Sequence, residues 1–109
     1  DLIGFDETMT KHRAAQWLQQ VAPRGRIVAR NSSVLGLLYS AKAGIGIAPL
    51  PTAIADTEPE LVRVLGPIPE LARIWRVLTT PELRQTPRVK AFFEFLVEEI
   101  DALRPILTG

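Results

Sequence analysis

Cysteine is absent from the 109 residues, which removes disulfide scaffolds, zinc fingers and thiol nucleophiles together. Histidine occurs once, at His12, so a metal site or catalytic array built on several imidazoles is excluded. An excess of charge is also lacking. Thirteen basic and 12 acidic residues leave +1, without the basic footprint of a chain that grips nucleic acid by itself. The start, Asp1-Leu2-Ile3-Gly4-Phe5-Asp6-Glu7, has no basic stretch before an apolar run, so no targeting segment is expected. Between 31 and 55 the only charge is Lys42, but Asn31, Ser32, Ser33, Gly44, Gly46, Pro49 and Pro51 interrupt it. A spanning helix needs about 20 predominantly apolar residues, so this stretch reads as buried core of a soluble protein, with no membrane partner.

Catalytic signatures are equally scarce. No G-x-S-x-G elbow and no G-x-x-x-x-G-K-[ST] phosphate loop occur. Gly44-Ile45-Gly46 precedes an expected strand instead of following one, the wrong order for a dinucleotide site. Asp6-Glu7 and Glu98-Glu99 lack surroundings that would split two carboxyl pKa values. His12 sits between Lys11 and Arg13 and reads as a surface residue. The expectation is a protein that is not an enzyme, with no metal and no cofactor.

What is present is a globular composition, 47% hydrophobic and 23% charged, at the length of one domain. Residues 2–5 form a short apolar run and read as a strand. Over 10–21, Ala14, Trp17, Leu18 and Val21 fall at helical spacing, with Thr8 or Thr10 to cap the start and Pro23-Arg24-Gly25 to stop it. A strand is expected at 26–30 and a helix over 33–43, opened by Asn31, Ser32 and Ser33 and closed by Gly44. That helix carries two apolar stripes, Val34-Leu37-Leu38-Ala41 and Leu35-Tyr39, so more than one face needs cover. Further strands are expected at 45–50, 61–65 and 71–79, with a short helix over 52–55 after Pro51. Val89, Phe92, Phe93, Leu96, Ile100 and Leu103 define a last helix that Thr86-Pro87 opens and Arg104-Pro105 ends. The alternation predicts an α/β layered fold with a mostly parallel sheet flanked by helices.

In open α/β sheets, ligands bind beyond the carboxyl ends of the strands. Two such places exist here, at Phe5-Asp6 and at Asn31-Ser32-Ser33, where a helix start offers free N–H groups to a small anion. Simple helix capping accounts for the same serines, so spacing alone leaves both readings open.

Three segments together resemble the effector-binding domain of LysR-type transcriptional regulators. They are Leu2-Ile3-Gly4-Phe5-Asp6-Glu7, Arg30-Asn31-Ser32-Ser33, and the run Ala43-Gly44-Ile45-Gly46-Ile47-Ala48-Pro49-Leu50-Pro51. The tail agrees: Leu61-Val62-Arg63-Val64-Leu65, Ile74-Trp75-Arg76-Val77, and Thr86-Pro87-Arg88-Val89-Lys90-Ala91-Phe92. The resemblance implies a fold like one lobe of a type 2 periplasmic binding protein. Residues 1–66 would be the second lobe, 67–80 the return crossing strand and hinge, and 81–109 a helix belonging to the first lobe. It implies an effector cleft with Gly4, Phe5, Asn31, Ser32 and Ser33 in contact with a small, anionic metabolite. It further implies Leu35 and Tyr39 facing a partner in a homo-oligomer, and a cytoplasmic location. DNA would be reached only through a winged helix-turn-helix outside this chain.

A solute-binding protein of a transport system shares that fold and is the alternative; an enzyme on a related fold is disfavoured by the lack of a nucleophile–base pair. The large side chains of the last helix, Phe92, Phe93, Leu96 and Ile100, are worth roughly 1.5–3 kcal/mol each when buried. Without first-lobe strands to receive them, the chain is expected to self-associate through this helix or to fold it onto another surface.

Overall fold

The computed structural model describes residues 1–109. Its centre is a short strand, β1 (Leu2–Phe5), in which Ile3, Gly4 and Phe5 are buried. A second strand, β2 (Ile27–Asn31), pairs with it in parallel, Ile3 opposite Ala29 and Phe5 opposite Asn31. The register slips between Leu2 and Ile3. On the other side of β1 a single parallel bridge joins Leu2 to Ile47. Ile3 donates its main-chain N–H to Ile47 O at 2.8 Å, and Ile47 N–H returns to Asp1 O at 3.1 Å.

Helix α1 (Arg13–Val21) lies between the strands in sequence and packs against β1; helix α2 (Val34–Lys42) packs against both strands. The core is small: seven of 109 residues are buried, and Ile3, Phe5, Ala15 and Leu37 form its centre. Leu37 and Leu38 are buried as the first stripe of α2 predicts, while Leu35 and Tyr39 point outward, 58% and 65% exposed. Gly44, with φ +73°, ends the helix in the left-handed conformation that a Cβ disfavours.

Several expectations need correction. Thr8 and Thr10 do not cap α1. Asp6 caps a 3-10 turn at Glu7–Met9, its Oδ1 accepting from Thr8 N–H at 2.9 Å. The cap of α1 is His12, whose Nδ1 accepts from Ala14 N–H at 3.3 Å while its ring stacks on Phe5. The buried side of α1 is Ala15 and Leu18, with Val21 exposed, because the small Ala15 lets the helix approach β1.

The sheet is also narrower than expected. Residues 45–50 contribute one bridge, and Pro49 offers no N–H to extend it. Segments 61–65 and 71–79 form no strand. Between Arg73 and Thr79 no main-chain group pairs with another, and Ile74, Trp75, Val77 and Leu78 are exposed. A strand exists only where a neighbour completes its ladder, and none lies beside them.

The remaining helices are α3 (Thr52–Ala55), α4 (Pro81–Arg84), α5 (Pro87–Glu98) and α6 (Ile100–Thr108). The single helix expected to stop at Pro105 instead breaks at Glu99, and Pro105 sits inside α6. The break brings α6 back against α3, and the helix carries an interior proline that ordinarily costs about 3 kcal/mol. At the far end of α2, Lys42 Nζ donates to Glu58 at 2.5 Å and lies 3.3 Å from Glu60. Those two bonds raise the Lys42 pKa above its ordinary 10.5, so the tie is complete at neutral pH and is lost only as pH climbs through that higher value. No helix is long and apolar enough to cross a membrane.

The bridge at Ile47 depends on Gly46: a Cβ there would lie 2.8 Å from the main-chain oxygen of Asp1. Gly46→Ala is expected to cost about 1–3 kcal/mol, as overpacking against a rigid neighbour does. Thermal unfolding followed by circular dichroism should show a midpoint lowered by several degrees; an unchanged midpoint would contradict the close approach.

Candidate functional site

Parallel pairing carries both strand ends to the same edge of the sheet. Asp6 N–H donates to Asn31 O at 3.1 Å, which locks the exit of β1 beside the exit of β2. Here Ser33 begins α2 in extended conformation, φ −143° and ψ 154°, and its Oγ accepts from Gly36 N–H at 3.0 Å. Ser32 and Ser33 are exposed. The first-turn N–H groups of α2 have no intrahelical acceptor and carry the positive end of the helix dipole.

Asn31 is committed elsewhere. Its Nδ2 donates to Ser40 Oγ at 3.1 Å, and its Oδ1 lies where a Cβ on Gly36 would stand, 2.8 Å away. The side chain therefore pins the flank of α2 to the end of β2. Gly36 is the residue that permits it.

Of the five residues singled out from the sequence, the structure brings Phe5 and Asn31 side by side in register and places Ser32 and Ser33 just beyond them. It does not gather all five around one cavity. Gly4 and Phe5 line a concavity of about 310 Å³ beneath α1, in which Asn31, Ser32 and Ser33 take no part. Arg30 escaped the sequence reading. Its Nη1 donates to Phe5 O at 3.0 Å, fixing a cation where the strands end. The available signal was its position directly before the Asn-Ser-Ser turn, on the strand's outward-facing parity.

A second concavity of about 300 Å³ lies on the outer side of α1, between Arg13, Trp17 and Leu71. Arg13 donates there to the main-chain oxygen of Glu70, which docks the 3-10 turn Pro69–Leu71 on the helix. Nowhere do three His, Cys, Asp or Glu side chains converge as a metal would require. The strand-end turn offers groups that hydrogen-bond an anion: exposed hydroxyls, free N–H groups and, at the same sheet edge, the Arg30 guanidinium.

Among known proteins, the model of the family described as LysR substrate binding domain matches residues 1–101. No curated protein and no solved structure matches the chain.

Ser33 both caps α2 and faces solvent, so its two roles separate by substitution. Ser33→Ala removes the cap bond and is expected to cost about 0.5–2 kcal/mol. Ser33→Asp keeps an acceptor for Gly36 N–H and should retain most of that stability. Equal thermal midpoints for wild type and Ser33→Ala would remove the serine as the cap.

Proposed function

The chain belongs to the family of LysR substrate binding domains, and on that footing we propose that it is part of the effector-sensing domain of a LysR-type transcriptional regulator, with residues 1–66 as its second lobe. In this reading the strand-end turn of Asn31, Ser32 and Ser33, with Arg30, takes a small anionic metabolite in an interlobe cleft. The chain does no covalent chemistry. The observation that carries the anion is Arg30, held by Phe5 O at the edge where α2 presents its free N–H groups. Phe5 acts through its main chain, whereas Gly4 keeps the strand close to Ile27, 3.2 Å from where its Cβ would be. Asn31 acts by holding α2 in place.

Effector binding would close this lobe on the first and shift how subunits present their DNA-binding heads. DNA is reached through those heads, in the cytoplasm, and not through this nearly neutral chain. Residues 67–80 lead out of the lobe, and α5 belongs against first-lobe strands.

By itself the 109-residue chain exposes the surface that first-lobe strands would cover, and this exposure supports self-association of the chain through its second half. The accessible surface is 8355 Å²; a compact protein of this mass exposes about 6,000 Å². The radius of gyration is 17.1 Å, against about 13 Å for a compact chain of this length. The difference in surface, roughly 2,400 Å², exceeds the ~800 Å² that each partner of a standard stable interface buries. Trp75, Phe92 and Phe95 contribute to it, each more than half exposed, and Leu35 and Tyr39 add a second patch on α2.

Two measurements test this reading. Thermal shift with acetate, succinate and citrate should show at least one of them raising the midpoint of the protein that carries this chain. A ligand at a hundred times its Kd adds about 2.7 kcal/mol. The same acid should lose at least tenfold in affinity for Ser33→Asp, where a carboxylate would face the ligand. A response unchanged by Ser33→Asp would remove the turn from the site. Sedimentation of the 109-residue chain should show species above 12.1 kDa that Phe92→Ser with Phe95→Ser dissociates. A strict monomer at every concentration would contradict the use of this surface.

A further inference from the structure

We infer that the groove beneath α1 is a second binding site, which shares Arg30 with the edge of the serine turn but is otherwise lined by different residues, and that it accepts a small carboxylate with an apolar body. Whereas α2 covers both strands, α1 is seated on β1, and a groove of about 310 Å³ stays open between it and the β2 side of the sheet. The gap has a local cause. Gly4 on the strand, Ala15 on the helix and Ala22 just past its end project little or nothing into it, while Leu18 and Ile27 supply apolar walls. Its volume is at the lower bound of ligand pockets, which suits one ring or a short branched chain.

The groove's charge pattern selects the ligand further. Arg30 is the only charged residue in its lining. The guanidinium is fixed by its bond to Phe5 O, and no carboxylate lies within ion-pair distance of it. Thr10 and Gln19 add neutral polar groups to the lining. One oriented cation beside an uncharged apolar trough favours a monoanion whose carboxylate pairs with Arg30 while its hydrocarbon part lies along Leu18 and Ile27. A compact dianion would find one cation and leave the trough unfilled. A neutral solute would leave the guanidinium without a partner.

Cyclohexanecarboxylate is a fitting probe, with cyclohexylmethanol as its neutral counterpart and acetate as the charge without the body. Calorimetric titration of the protein should show cyclohexanecarboxylate binding at least tenfold more tightly than either control. Arg30→Gln should weaken it about tenfold. Ala22→Leu, which fills the trough, should abolish it. Where far-UV circular dichroism shows that Ala22→Leu disturbs α1, Gln19→Trp from an exposed position closes the groove instead and should have the same effect. Equal affinity for cyclohexylmethanol would overturn the role of Arg30. Full binding in folded Ala22→Leu or Gln19→Trp would overturn the groove as the site, as would the absence of any cyclohexanecarboxylate binding. Binding lost in Ser33→Asp but kept in Ala22→Leu would move the ligand to the serine turn, leaving that site standing and this one refuted.

Discussion

Ile3 has no exposed surface, and its main-chain N–H is spent on Ile47 while its neighbour Leu2 donates to Arg26 O at 2.8 Å. One four-residue strand thereby holds β2 on one side and the Gly46-Ile47 segment on the other. Both principal helices pack against it. Satisfying the main-chain groups of a strand buried on its faces requires neighbours on both edges, and that requirement organises the first half of the chain. Gly46 meets it by bringing a bare backbone against Asp1, where any side chain would block the bridge.

The candidate site is a consequence of that pairing. Because β1 and β2 run parallel, their carboxyl ends, Phe5 and Asn31, emerge together, and the helix that follows β2 starts at the same edge. Polar side chains there divide their work. Asn31 spends its amide on Ser40 and so fixes the helix, which leaves Ser33, Ser32 and the free N–H groups facing solvent. Arg30 is oriented by a carbonyl from the neighbouring strand, so strand pairing positions the charge as well as the backbone. The groove under α1 is the same sheet's other opening, left because small residues line it.

The second half obeys different physics. Its helices α4, α5 and α6 form from capping and turn signals that operate locally: Thr80 Oγ1 accepts from Leu83 N–H, and proline opens both α4 and α5. None of them has a buried residue. Segments 61–65 and 71–79 have the composition of strands but no edge to join, so their apolar side chains stay exposed. Pro105 ends no helix, because α6 gains a surface on α3 that a proline rule takes no account of. The chain belongs to the LysR substrate binding domain family, and in the proposed reading these apolar residues meet first-lobe strands.

Read from the residues alone, β1, a cap within Asn31-Ser32-Ser33 for α2, the buried stripe at Leu37 and Leu38, and the Gly44 stop were all legible. Each is a local matter of spacing, capping or backbone freedom within one turn or one strand. The family too was legible, because its motifs are contiguous. Tertiary structure alone decided that His12 and not a threonine caps α1, since Asp6 had claimed Thr8 and Phe5 offered its ring. It decided that Asn31 is an anchor, that Arg30 is tied to Phe5 O at the strand ends, and that Gly4 faces a groove the serines do not share. It decided also that 61–65 and 71–79 remain unpaired. Propensity is a property of a segment, but a strand, a pocket and an oriented charge are properties of what lies across from it, and only the folded chain sets that neighbour.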